Sequence, residues 1–274
     1  MKMKFGIYRI SKALMIIAGL CSSPVLFSQS ITLPQCYGNT RMMKDFVREE
    51  MVYPEKAQAD GTEGTVVVAF MVHRDGKATN YKVKQSLTAE TDAEAIRISR
   101  LILWYPATDI GIPVDYEHTL EFKFDLKKYQ NMVKSRGYDR FDYPYLPVDT
   151  SNVVVPMLDA DRIPKPVYSS KDYNFSSFIA NNLVYPEAAF KQNVSGTVKL
   201  KFVVEPSGRI SNIITEKEVG GGCTEEAIRV VKLLRWNPGL LNDKAVRTWM
   251  CLEITFDIAS KSVSGQIPNP GQIH

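Results

Sequence analysis

The chain repeats itself. Phe46 to Phe124 overlays Phe178 to Phe256 at a constant spacing of 132 residues without a gap, and roughly 24 positions are identical. A repeat of that length in one register means that a single small unit folds twice, so the fold question reduces to one copy. The identities keep their order along both copies. Tyr53-Pro54-Glu55 matches Tyr185-Pro186-Glu187, Gly64-Thr65-Val66 matches Gly196-Thr197-Val198, and Gly76 matches Gly208. Glu94-Ala95-Ile96-Arg97 with Glu226-Ala227-Ile228-Arg229, Trp104 with Trp236 and Pro106 with Pro238 complete the series.

Each copy opens on a short helical stretch, with Phe46, Val47 and Met51, or Phe178, Ile179 and Leu183, at helical spacing. The following Tyr-Pro pair ends it, because a proline pushes the residue before it out of the helical region. A strand comes next, since Val66, Val68, Phe70 and Val72 alternate, as do Val198, Leu200, Phe202 and Val204. Asp75-Gly76 and Ser207-Gly208 are turn signals that fold a second strand back as a hairpin. The helix after it has capping-box spacing at Thr91 and Glu94 and an apolar stripe of Ala95, Ile98 and Ile102, repeated as Ala227, Val230 and Leu234. A last strand alternates through Val114, Tyr116, Leu120 and Phe124, or Val246, Met250, Leu252, Ile254 and Phe256. Because the helix carries the chain back first, the third strand runs parallel to the second, and an all-antiparallel sheet puts the first strand in the centre. The expected fold class is α+β: two tandem small domains, each a three-stranded antiparallel sheet packed by helices on one face.

The remaining segments set the boundaries. Residues 1–29 read as a secretory signal, with Lys2, Lys4, Arg9 and Lys12 ahead of the apolar Ala13 to Leu20 and small or polar residues after it. Two other readings of that segment stay open: an uncleaved anchor, and a Cys21 that carries lipid. The apolar run is short for a span of about 20 residues, and Leu20 stands where a lipoprotein signal usually has a small residue. Residues 30–45 form an N-terminal segment, 46–126 and 173–260 the two domains, 127–172 a linker rich in Tyr and Pro that docks in part on a domain, and 261–274 a tail. The expected location is the periplasm, with membrane association if the first segment is retained or Cys21 is lipidated. The formal charge of +4 is largely the basic start of the chain, so the remainder is near neutral and a nucleic-acid partner loses its warrant.

An enzyme finds little support. His73, His118 and His274 have no spacing that would gather them at a metal or beside a nucleophile. Gly220-Gly221-Gly222 lacks the Lys-Ser/Thr ending of a phosphate loop, and copy one has Thr88-Ala89-Glu90 there. Cys223, at a helix start, has no base beside it in the sequence and reads as structural. Trp104 and Trp236 read as core anchors. No cofactor is expected.

The ordered set of Tyr-Pro-Glu, Gly-Thr-Val, an Asp-Gly or Ser-Gly turn, Glu-Ala-Ile-Arg and Trp-x-Pro resembles the C-terminal domain of the TonB energy-transducer family in both copies. Copy two, with Asn182-Leu183-Val184-Tyr185-Pro186-Glu187 and Trp236-Asn237-Pro238-Gly239, is similar to members from Bacteroidetes-type bacteria. The resemblance implies a non-catalytic periplasmic module that adds the short N-terminal box of an outer-membrane TonB-dependent transporter to its sheet edge as a strand. It also implies, in full transducers, inner-membrane motor subunits as partners and a long proline-rich spacer. Here only about 15 residues, Ser30 to Lys44, precede the first domain, a reach near 50 Å at about 3.4 Å each. The expected function is a tandem binding protein engaging such transporters in energy-coupled transport. The rival is a structural or interaction protein of the envelope that binds peptidoglycan or protein without transducing energy. The expected partner-binding residues lie on the third strand of copy two: Arg247, Thr248, Trp249, Met250, Cys251, Leu252 and Glu253, with Arg247, Trp249 and Cys251 pointing outward.

Overall fold

Alternation along Gly64–Val72 (β1) sends Val66, Val68, Phe70 and Val72 to one face, where all four are fully buried. The computed structural model describes residues 31–136, 146–168, 174–259 and 262–267. In copy one, helix α1 (Thr40–Glu50) precedes β1, which pairs antiparallel with β2 (Ala78–Gln85) on one side and with β3 (Tyr116–Phe124) on the other. The sheet order β2-β1-β3 puts the first strand in the centre, as the alternation and the hairpin turn require. Helix α2 (Ala89–Ser99) lays Ala95 and Ile98 on the buried face, and Trp104 and Phe122 join them in one core. Helix α3 (Leu126–Arg136) follows β3 at once and buries Tyr129 against the ring of Tyr53.

Copy two repeats the order as α4 (Phe175–Asn182), β5 (Gly196–Val204), β6 (Ile210–Lys217), α5 (Cys223–Val231) and β7 (Lys244–Asp257). Its strands stand in the order β6-β5-β7 around a second core that holds Leu200, Phe202, Trp236 and Phe256. The repeat extends to single bonds. Glu94 accepts from the Val52 amide and Glu226 from the Val184 amide, and the Tyr53 and Tyr185 hydroxyls donate to the carbonyls of Thr62 and Val194. Asn80 and Asn212 both sit at positive φ, where the second strand of each copy carries an extra residue against the first.

Copy two's sheet also gains strands. β4 (Val154–Val155), from the segment between the copies, runs parallel to Arg247 and Thr248 of β7. β8 (Ser262–Gln266) folds back on Glu253–Asp257, whereas the pairing of Gly239–Leu241 with Lys244–Val246 repeats that of Ala107–Asp109 with Ile112–Val114 in copy one. A short helix follows the Tyr-Pro pair in each copy, at Glu55–Ala59 and Glu187–Lys191. The second helix of copy one is capped by Thr88, not Thr91. The Thr88 side chain accepts from the Thr91 amide and the Thr91 hydroxyl accepts from the Thr88 amide, which leaves Glu94 free to hold Val52 and Arg97.

The copies are docked through polar groups. The Asn212 side chain donates to the Leu101 carbonyl at 2.9 Å and accepts from the Leu103 amide at 2.8 Å. Lys232 reaches Asp45 at 3.1 Å and Ser207 reaches Glu50 at 3.0 Å. Gly38 has φ +78°, and a Cβ there would lie 2.5 Å from the Ile213 carbonyl oxygen, so the close approach of the two copies needs glycine at this place.

Candidate functional site

The turn after β1 decides which backbone groups of β3 face outward. The His73 amide donates to Lys77 O and the Gly76 amide to His73 O, so His73 faces β2. In-plane bonding direction alternates along a strand. Val72, Phe70, Val68 and Val66 therefore face β3, where their partners are Tyr116, His118, Leu120 and Phe122. Glu117, Thr119, Glu121 and Lys123 turn their amides and carbonyls the other way. Among the described residues β3 has a neighbouring strand on one side only, so these groups form an open edge.

That edge borders a groove of about 890 Å³. Met43 and Val47 on one flank of α1, with Met51 just past its end, form one wall, β3 forms the other, and Tyr129 and Met132 of α3 contribute at the Phe124 end. His118 lines the groove, half-buried, with its ring 4.8 Å from that of Trp104. Burial holds its pKa below the ordinary imidazole value. An apolar trough beside unpaired strand donors and acceptors is suited to taking up an extended segment by backbone pairing.

On copy two the structure places the seven expected residues on one strand, in three settings. Arg247 lies on the same face of the strand as Trp249 and Cys251, but that face is covered where it stands. It is buried, because Glu205 holds its guanidinium at 2.8 Å and the Leu101 carbonyl accepts from it at 2.6 Å. Thr248, Met250 and Leu252 are buried and, by the same alternation, turn their backbone groups to β5. Trp249 and Cys251 lie half-buried, the Trp249 ring taking the Lys201 ammonium at 5.1 Å. Glu253 is bound by Lys199 at 2.5 Å, and this bond holds its carboxyl below the usual range. With β4 on Arg247–Thr248 and β8 on Glu253–Asp257, the edge between them runs only from Trp249 to Leu252.

The groove of copy one is absent from the sequence reading. One local signal pointed to it. After Phe256 the tail alternates as Ser262-Val263-Ser264-Gly265-Gln266, whereas after Phe124 the chain continues as Asp125-Leu126-Lys127-Lys128, with Asp125 accepting from the Lys128 amide to start α3. The two third strands therefore could not share the same neighbour. Among the described residues no cluster of His, Cys, Asp and Glu could hold a metal, and Cys36, Cys223 and Cys251 form no disulfide. Cys223 follows a Gly222 N-cap and is buried, which raises its thiol pKa, the opposite of an activated nucleophile. No helix among the described residues is long and apolar enough to cross a membrane, and residues 1–29 lie outside them.

A family model described as "Gram-negative bacterial TonB protein C-terminal" matches residues 49–126 and 181–258. Two solution structures of the Helicobacter pylori TonB C-terminal domain are similar to part of the chain. One is 20% identical, covers 31% of this chain and 78% of its own, and superposes with a TM-score of 0.24. The other is 24% identical, covers 32% of this chain and 97% of its own, and has a TM-score of 0.23. Comparison with curated proteins gives no match.

Proposed function

The chain belongs to the TonB C-terminal domain family, twice over, and from that premise we propose that it is a non-catalytic binding protein of the periplasm. It engages outer-membrane TonB-dependent transporters by adding their N-terminal box to a sheet edge, in support of energy-coupled transport. The observation that carries this reading is the open edge of β3 above an apolar groove. The basic, then apolar, then small-residue pattern of residues 1–29 supports export. Inner-membrane motor subunits, the second partner the family implies, would be reached through the segment ahead of Ile31. On copy two, addition along the whole of Arg247–Glu253 requires both β4 and β8 to leave first.

Proline discriminates the two sides of β3, because it removes a backbone donor and is tolerated only where that donor is not in the ladder. In Glu121→Pro the lost donor faces the groove, so the protein should keep its circular dichroism spectrum and bind an immobilised transporter-box peptide at least about tenfold more weakly. In Leu120→Pro the lost donor faces β1, and the chain should melt earlier. A folded Glu121→Pro variant that holds the peptide as tightly as the parent overturns strand addition at this edge.

A further inference from the structure

We propose that a strip of aromatic rings across the junction of the two copies, with the cleft beside it, binds a short acidic oligosaccharide. This goes beyond the function proposed above and does not depend on it.

Three separate parts of the chain build the strip. Tyr37 precedes α1, Tyr105 follows the buried Trp104 of copy one, and Trp249 stands on β7 of copy two. The Tyr37 ring lies 4.4 Å from that of Tyr105 at an interplanar angle of 35°, and 6.3 Å from that of Trp249 at 32°. The rings thus follow one another with modest tilts, and all three keep contact with water: Tyr105 is 44% exposed, Tyr37 and Trp249 half-buried. The shared fold does not call for them. At the repeat spacing Tyr105 becomes Asn237 and Trp249 becomes Glu117, while Tyr37 lies ahead of the repeat. Neighbouring rings that no core requires, left partly in water, have the character of an interaction surface.

The cleft defines the ligand. It has a volume of about 680 Å³ and is lined by Tyr37, Trp249, the Asp75–Tyr81 stretch of copy one and residues 150–154 of the connecting segment. Thr79, Thr150, Ser151 and Asn152 bring to it hydroxyls and an amide, groups that both donate and accept. Arg247 donates to the Asn152 carbonyl at 3.0 Å and so ties that wall to β7. Asp75 and Lys77 offset each other at 3.4 Å, and the third charged residue of the lining is Arg100, whose guanidinium lies 5.6 Å from the centre of the Tyr81 ring. A sugar has an apolar C–H face that stacks on an aromatic ring and a rim of hydroxyls that need partners able both to donate and to accept. Successive rings give footing to more than one sugar unit, and a single guanidinium in excess favours a unit that carries a carboxylate. A membrane surface would call for a cluster of cations.

Trigalacturonate is the probe, and maltotriose is its uncharged counterpart of equal length. The other two tryptophans, Trp104 and Trp236, are buried, so a ligand that stacks on the strip changes the fluorescence of Trp249. The full-length chain should bind trigalacturonate, and maltotriose at least about tenfold more weakly. Tyr105→Ala should stay folded by circular dichroism and weaken trigalacturonate at least about tenfold. Arg100→Gln should remove the preference for the acidic sugar. Neither Tyr105 nor Arg100 lines the groove of copy one, so both variants should hold a transporter-box peptide as the parent does. A parent chain that binds neither sugar, or both equally, overturns the proposal. So does a Tyr105→Ala variant with the parent's affinity, or a preference that survives Arg100→Gln. Self-association or adhesion to anionic vesicles that Tyr105→Ala abolishes, without sugar binding, also overturns it and assigns the strip to a second copy or to a membrane. None of these outcomes touches the proposed function, which fails only if the box peptide is not bound.

Discussion

Positions 73 and 115 of copy one correspond to 205 and 247 of copy two, and a polar contact joins each set, with the carboxylate at the start of the third strand in copy one and at the end of the first in copy two. His73 and Asp115 meet at 3.1 Å with side chains 35% and 40% exposed, whereas Glu205 and Arg247 meet at 2.8 Å with side chains 1% and 3% exposed. The difference follows from what lies beyond the strand. Arg247 continues to Leu101 of copy one and to Asn152 of the connecting segment, so copy two uses at the junction a position that copy one leaves in water. Among the described residues the sheet edges divide in the same way: in copy two β4 and β8 cover all but Trp249 to Leu252, and in copy one no strand pairs with the outer side of β3. The shared core has been kept, and the divergence sits at the borders, where neighbours rather than alternation decide what a residue does.

The buried pair is the place to strike first. Glu205→Ala strands a guanidinium in a closed junction and should cost about 3–5 kcal/mol in chemical denaturation, the usual penalty for breaking a buried pair from one side. His73→Ala, at the equivalent exposed position, should move the midpoint far less, because solvent already screens that pair. Equal losses from the two substitutions would mean that the junction is not what distinguishes the copies.

A smaller effect separates the copies by pH. Position 118 is histidine in copy one, and its counterpart in copy two is Met250. Burial against Trp104 disfavours the imidazolium, so the folded pKa of His118 lies below its unfolded value. Protons then bind the unfolded state more readily. The stability at stake is present above the ordinary imidazole value of about 6.5 and is lost as pH falls through the folded one. Copy one should loosen in mild acid while copy two does not, and His118→Met should remove the difference in residue-resolved NMR melts. Parent and variant melts that follow the same pH profile would contradict this account of His118.

The central strands, the long helices and the buried tryptophans were legible because alternation, helical spacing and a Tyr-Pro stop are local and occur twice. The cap of α2 was misplaced by three residues because Thr88 and Thr91 are chemically alike. Only the bond from Glu94 to Val52, 42 residues away, shows that Glu94 serves another element. Arg247 looked outward because the sequence shows which face a side chain takes and not which domain arrives to cover it. The edge of β7 was read as open for the same reason. β4 and β8 come from segments too short for periodicity to declare, and their places depend on contacts far along the chain.

The central claim is that the two third strands differ in what occupies their outer edge, and amide hydrogen exchange reads that directly. Glu121 and Lys123 correspond to Glu253 and Thr255, and among the described residues only the latter pair has a strand, β8, against its outward amides. In the free protein Glu121 and Lys123 should exchange much faster than Glu253 and Thr255, and should slow to comparable rates when a transporter-box peptide is bound. Equal protection of the two pairs in the free protein would contradict the account.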